Sequence, residues 1–199
     1  MDIIIRVAEA SDIQYAEAIC DLIKESAKAR GTGIAERQPE YIRTKIANGN
    51  AVLALQGDTL AGFCYIEVWS HNRYVANSGL IVSPKFRRLG LARQIKSHIF
   101  RLSRYKFPEA HVFGITTSLA VMRINSSLGY KPVTFSELTQ DDAFWQGCAS
   151  CPNYDILKRN DRKLCLCTAM LAEVDPQSSL AVDLSDQIIS FPKVEPQNS

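Results

Sequence analysis

The stretch GLIVSPKFRRLGLARQIKSHIFRLSR, Gly79–Arg104, changes its hydrophobic period halfway. Gly79 to Ser83 is a short apolar run of strand type, Pro84 interrupts it, and from Leu91 the apolar residues recur at helical spacing. Leu91, Ile95, Ile99 and Leu102 fall on one helix face, and Arg93, Lys96, Arg101 and Arg104 are expected to point elsewhere. The pattern therefore predicts a strand, a turn and a helix. In the turn, Arg87-Arg88-Leu89-Gly90-Leu91-Ala92, small residues let a ligand approach the backbone. The following helix N-terminus offers unpaired N–H groups and a partial positive charge. Such a turn suits a pyrophosphate.

The chain has 199 residues, and 46% hydrophobic content is enough for one sizeable core. A net charge of +2 and a pI near 8.2 are too mild to argue for nucleic acid or an anionic membrane surface. Met1-Asp2 followed by a short apolar run ending at Arg6 is not expected to act as a secretory signal. No stretch approaches the ~20 apolar residues of a spanning helix, so a cytoplasmic protein is expected. Six cysteines then read as free thiols or metal ligands rather than disulfides.

Along the chain, Ile3 to Val7 predicts a strand, and Ser11-Asp12 supplies N-cap chemistry for a helix to about Ala29. A connection through Gly31, Gly33 and Arg37 leads to a second helix from Pro39 to Ala47. Ala51 to Leu55, a turn at Gln56-Gly57-Asp58, and Leu60 to Val68 predict a hairpin, with Val75 to Val82 as a third strand. Beyond the central helix come a strand at His111 to Thr116, a helix from Ser118 to Leu128 with Gly129 as its C-cap, and a strand from Tyr130 to Phe135. Residues 136–162 read as a polar, irregular insertion, and Lys163 to Ala172 as the final strand. The tail, 175–199, is expected to lie outside the domain, although Leu180, Val182 and Leu184 alternate as a strand would.

Arg87, Gly90 and Ala92 match the Q/R-x-x-G-x-G/A acyl-CoA motif, and the stretch resembles the GNAT superfamily of N-acetyltransferases. The element order is also similar to that family's. The resemblance implies an α/β GNAT fold over residues 1–174: a mostly antiparallel central sheet with a splayed parallel strand pair and flanking helices. Within the superfamily the chain is most similar to the transferase domain of N-acetylglutamate synthases. Four places carry that likeness: Gly33-Ile34 with Arg37 and Glu40; Leu80 to Arg87; Ile115-Thr116-Thr117; and Leu128 to Val133 leading to Leu138. It implies an acyl-CoA-dependent N-acyltransferase of amino-acid and arginine biosynthesis, using acetyl-CoA or succinyl-CoA on the α-amino group of a small amino acid, with glutamate favoured.

By the same resemblance, pantetheine would lie between Leu80-Ile81-Val82 and His111–Thr116. The turn Arg87, Arg88, Leu89, Gly90, Leu91 and Ala92 would hold the pyrophosphate, and the backbone N–H of Val82 would meet the oxyanion. Many members place a Tyr acid where this chain has Asn125, which is expected instead to contact CoA. The candidates for base are Glu67 and a held water; Glu67 also reads as an ordinary strand residue. Arg37 matches the position that holds a substrate carboxylate, with Arg73 and Arg123 as candidates for a second. Outside the resemblance, Cys148, Cys151, Cys165 and Cys167 read either as a structural zinc set or as plain packing, the last two sharing one face of the final strand. The final strand and tail are candidate homodimer contacts. Two rivals stay open: the same chemistry on a polyamine, antibiotic or protein N-terminus, and a non-catalytic CoA-sensing module.

Overall fold

The computed structural model describes residues 2–30, 35–175 and 184–189. The predicted order holds: β1 (Ile3–Val7), α1 (Ala16–Arg30), α2 (Pro39–Ala47), β2 (Ala51–Gln56), β3 (Thr59–Trp69), β4 (Tyr74–Val82), α3 (Leu91–Lys106), β5 (His111–Thr116), α4 (Leu119–Ser127) and β6 (Lys131–Val133). Two short helices, α5 (Asp142–Gln146) and α6 (Tyr154–Arg159), precede β7 (Thr168–Ala172) and β8 (Gln187–Ile189). Among the described residues the strands form one sheet in the order β6-β7-β5-β4-β3-β2-β1-β8, antiparallel throughout except for β4 beside β5. No helix among them is long and apolar enough to cross a membrane.

Alternation along the strands divides the core between the two faces of the sheet. Ile3, Ile5, Val52, Cys64 and Ile66 pack under the α3 stripe of Leu91, Ile95, Ile99 and Leu102. Leu53, Phe63 and Tyr65 face the other way, against Ile19 and Ile23 of α1 and Ile42 and Ile46 of α2. Burying an aliphatic side chain of this size is worth ~1.5–3 kcal/mol, so these two stripes anchor the helices to the sheet.

Four expectations are corrected. The first helix is preceded by a 3-10 turn, Ala10–Tyr15, whose N-cap is Glu9, and Asp12 completes its capping box from the third position. The Asp12 carboxylate accepts from the Glu9 N–H at 2.7 Å and from Arg6 at 2.6 and 2.8 Å, tying the turn to β1. Residues 136–162 are not a wholly polar, irregular insertion: they carry α5 and α6, and Leu138, Phe144, Trp145 and Leu157 are buried together with Phe113, Phe135 and Leu171. The strand expected from Lys163 begins at Thr168 and lies between β5 and β6. In the tail, Leu180 and Val182 lie outside the described residues, and the strand there is β8, antiparallel to β1.

Candidate active site

The parallel pair β4–β5 is short. Tyr74 faces His111, Val75 faces Val112 and Ala76 faces Phe113, after which the strands part. The cause lies in β4, where the register with β3 moves from Phe63↔Ile81 to Tyr65↔Ser78, so Gly79 and Leu80 together oppose Cys64. That is a β-bulge, and Gly79 sits in it at φ +66°. Glycine is required there, since a Cβ would come within 2.4 Å of the Tyr65 ring. The bulge keeps β4 bonded to β3 and turns it away from β5. Ser83 N–H donates to Ala61 O at 2.9 Å, so by strand alternation the preceding N–H, that of Val82, points into the gap. On the opposite edge, Gly114, Ile115 and Thr116 pair only with β7.

The gap opens into a cavity of about 610 Å³ with walls from both faces of the sheet. On the α3 face stand Asn77, Lys96 and Asn125, all buried. Asn77 donates to Ser103 Oγ at 2.7 Å, and its Oδ1 accepts from Tyr130 Oη at 2.9 Å and Lys96 Nζ at 3.4 Å. Asn125 donates toward the Met170 sulfur at 3.6 Å, while its buried Oδ1 has no partner. An unpaired buried carbonyl oxygen of this kind fits an amide N–H of a ligand.

On the opposite face, Arg37, Tyr41, Tyr65, Glu67 and Ser78 meet. Arg37 Nε donates to Tyr65 Oη at 2.7 Å, and its guanidinium carbon lies 5.9 Å from the centroid of the Tyr41 ring. Glu67 is 6% exposed and accepts from Tyr41 Oη and Ser78 Oγ. Burial, and then the Glu67 charge, push both phenols well above their ordinary range, so both remain donors. Arg37 and Glu67 thus present opposite charges on one wall. Beyond them the wall is apolar, built by Trp69, Phe113, Phe144 and Leu157.

The turn before α3 keeps the expected shape, with Gly90 at φ +75° as N-cap and the N–H groups of Leu91 and Ala92 in the first turn, without helical partners. Arg87 is exposed at this turn and also binds within the fold. Its Nε bonds Val82 O and its Nη2 bonds Ser26 Oγ, both at 3.3 Å, so it braces the turn against α1, and Arg88 stands exposed beside it.

Leu80 and Ile81 line the cavity, as do Asn125, Glu67 and Arg37. Arg73 and Arg123 are exposed and lie outside that lining. Cys148, Cys151, Cys165 and Cys167 reach the same cavity wall, yet among the described residues no group of three or more His, Cys, Asp or Glu is arranged to hold a metal ion. The described residues therefore give the zinc expectation no support. Its premise fails locally, because Cys165 and Cys167 precede β7 and do not share a strand face. Burial, and then neighbouring thiols, push Cys148 up to about 11 and Cys167 to about 12, and Cys148, Cys165 and Cys167 pack against the aromatic cluster of this wall.

Sequence reading missed Lys96, Tyr41, Tyr65 and Ser78. For Lys96, which is 2% exposed, a signal was present: Ala92, Phe100 and Ser103 at its helical neighbours continue the buried stripe sideways. Arg104 is likewise buried, donating to the carbonyls of Ala110, Ala172 and Glu173.

Residues 16–112 match the family model for the acetyltransferase (GNAT) family. No curated protein matches the chain by sequence. Among solved structures, N-acetylglutamate synthase from Neisseria gonorrhoeae, complexed with coenzyme A and N-acetyl-glutamate, aligns at TM-score 0.62 and 17% identity over 87% of this chain. This chain spans 35% of that synthase's length. Rv2747 from Mycobacterium tuberculosis, in complex with CoA, aligns at TM-score 0.60 and 17% identity, covering 86% of this chain and 99% of that one. A GNAT-family acetyltransferase from Staphylococcus aureus aligns at TM-score 0.60 and 14% identity over 87% and 99%.

Proposed function

We propose, from the premise that this chain carries a GNAT acetyltransferase domain and is an acyl-CoA N-acyltransferase, that it acetylates the α-amino group of a small amino acid. One observation carries the reading. The gap between β4 and β5 opens into one cavity that joins Lys96 and Asn125, on the α3 face, to an acceptor side where Arg37 and Glu67 stand together. An amino acid is the zwitterion that this pair fits, its carboxylate on Arg37 and its ammonium toward Glu67.

Acetyl-CoA would run pantetheine along the free edges of Leu80–Val82 and Gly114–Thr116, with its pyrophosphate on the N–H groups of Leu91 and Ala92. The amine, once neutral, attacks the thioester carbonyl. The Val82 N–H, aimed into the gap, would donate to the pantetheine along this edge. Glu67 has both oxygens engaged by Tyr41 and Ser78, so it takes the amine's proton through a bridging water.

Glutamate is the first acceptor to test, because the synthase whose fold this chain shares carries N-acetyl-glutamate. The apolar wall of Trp69, Phe144 and Leu157 favours a second reading, an amino acid with an apolar side chain. Thiol release from acetyl-CoA and succinyl-CoA against a panel of amino acids and polyamines tests both. Turnover with amino acids and none with polyamines is expected. CoA binding without turnover of any amine would reject the catalytic reading.

A further inference from the structure

Expelling CoA as a thiol requires a proton at sulfur, and the position from which Asn125 faces the cavity offers none, an amide being no acid. Among the described residues lining the donor side, Lys96 is the one ionisable group. It is buried on α3, forms no ion pair among the described residues, and holds its ammonium only by the long 3.4 Å bond to Asn77 and by the face of Tyr130, whose centroid is 5.0 Å away. Asn77 is the first β4 residue beyond the last β4–β5 pair, so the ammonium sits at the apex of the gap where a thioester entering between the strands would end.

We propose that Lys96 is a catalytic residue that donates its proton to the departing CoA sulfur, an assignment resting on the acyl-CoA reading of the cavity. As the tetrahedral adduct collapses, the C–S bond breaks with its electron pair on sulfur. The Lys96 proton moves to that sulfur, leaving CoA thiol and a neutral amine, which regains a proton from water once the products leave. The amine acceptor's own proton goes separately to the Glu67 side.

The surroundings suit this role. The titratable groups packed about Lys96 are Cys64 of β3 and Tyr130 before β6, both uncharged near neutrality because burial raises them, Cys64 to about 11. Asn77, Ser103 and Asn125 are neutral. Burial without a counter-ion brings Lys96 down to about 8, close to the ~8.5 of a thiol, so the proton can pass in either direction with little driving force. A buried, unpaired ammonium is costly to a fold and serves no packing purpose that Met or Leu would not serve better.

The test is the ultraviolet absorbance of the CoA thiolate titrated against pH, for CoA free, bound to the wild type, and bound to Lys96→Met and Lys96→Gln, with binding checked by calorimetry. The ammonium should make bound CoA at least tenfold richer in thiolate on the wild type at pH 8 than on either variant. Turnover of acetyl-CoA should fall ~100-fold or more in the variants, the usual size of a general-acid contribution. An acetyl thioester of a low-pKa aryl thiol should narrow that deficit, which a merely structural lysine would not do. CoA that binds with the same thiol pKa as in free solution overturns the lysine assignment alone. A wild type that binds no CoA overturns the acyl-CoA reading and the proposal with it.

Discussion

Arg37 and Glu67 stand on one wall with Tyr41 and Tyr65 between them, so removing either charge should be felt in acceptor binding before donor binding. Arg37→Ala should raise the acceptor KM about 10- to 100-fold, the equivalent of the ~1.5–3 kcal/mol carried by a hydrogen bond to a charged group. Acetyl-CoA affinity should stay unchanged; steady-state kinetics with each substrate varied in turn makes the check. Lys96 has a separate signature in stability. Its pKa in the fold, about 8, lies below its ordinary 10.5, because burial disfavours the charged form. Between those values the unfolded chain binds more protons, so unfolding free energy of the wild type rises with pH. Lys96→Met should therefore be the more stable protein at pH 7, by on the order of 3 kcal/mol at most, and the gap should narrow toward pH 10. Urea unfolding of both at pH 7 and pH 10 measures it. Arg37 was singled out by the family resemblance, whereas Lys96 was expected to point away from the apolar face of α3, because a lysine among apolar neighbours looks the same in sequence whether it lines a cavity or snorkels to water.

Two glycines govern the elements that shape the site. Gly79→Ala would force a Cβ at positive φ against the Tyr65 ring, so it should cost more than the ~1–3 kcal/mol of backbone strain alone and raise the acceptor KM as Tyr65 moves off Arg37. At Gly90 an added Cβ meets nothing within 4 Å, so Gly90→Ala should cost only the ~1–2 kcal/mol of a left-handed residue and weaken CoA while sparing the acceptor KM. Denaturant midpoints together with the two KM values separate these outcomes. The bounds of α2 and β5 were legible from Pro39, from Asn48-Gly49 and from the apolar run at His111–Thr116. Those of β7 were not. Residues 163–167 alternate as a strand does, but the β5 ladder ends at Thr116↔Thr168, so no neighbour remains to pair them. Strand propensity is realised only where an edge is available.

Across the whole molecule, residues 135–172 form a second wall around Trp145. Its ring stacks on Phe135 at 5.6 Å and meets Phe144 edge-on at 4.8 Å, while its Nε1 donates to Thr139 O at 2.9 Å. Trp145→Ala should destabilise the protein by ~3–5 kcal/mol, the range for removing a buried large aromatic, and should impair the acceptor KM more than CoA binding. Thermal unfolding and calorimetry with CoA check the two parts. Helices α5 and α6 span five and six residues, too short for a period to show, and so passed for loop. The strand-turn-helix of Gly79–Arg104 and the order of elements follow from the chain alone, because apolar period and glycine punctuation act over neighbouring residues. The meeting of Arg37 with Glu67, and of Lys96 with Asn77 and Asn125, follows from folding. It depends on a bulge that parts β4 from β5, and a bulge is a relation between paired strands that no single stretch of sequence contains.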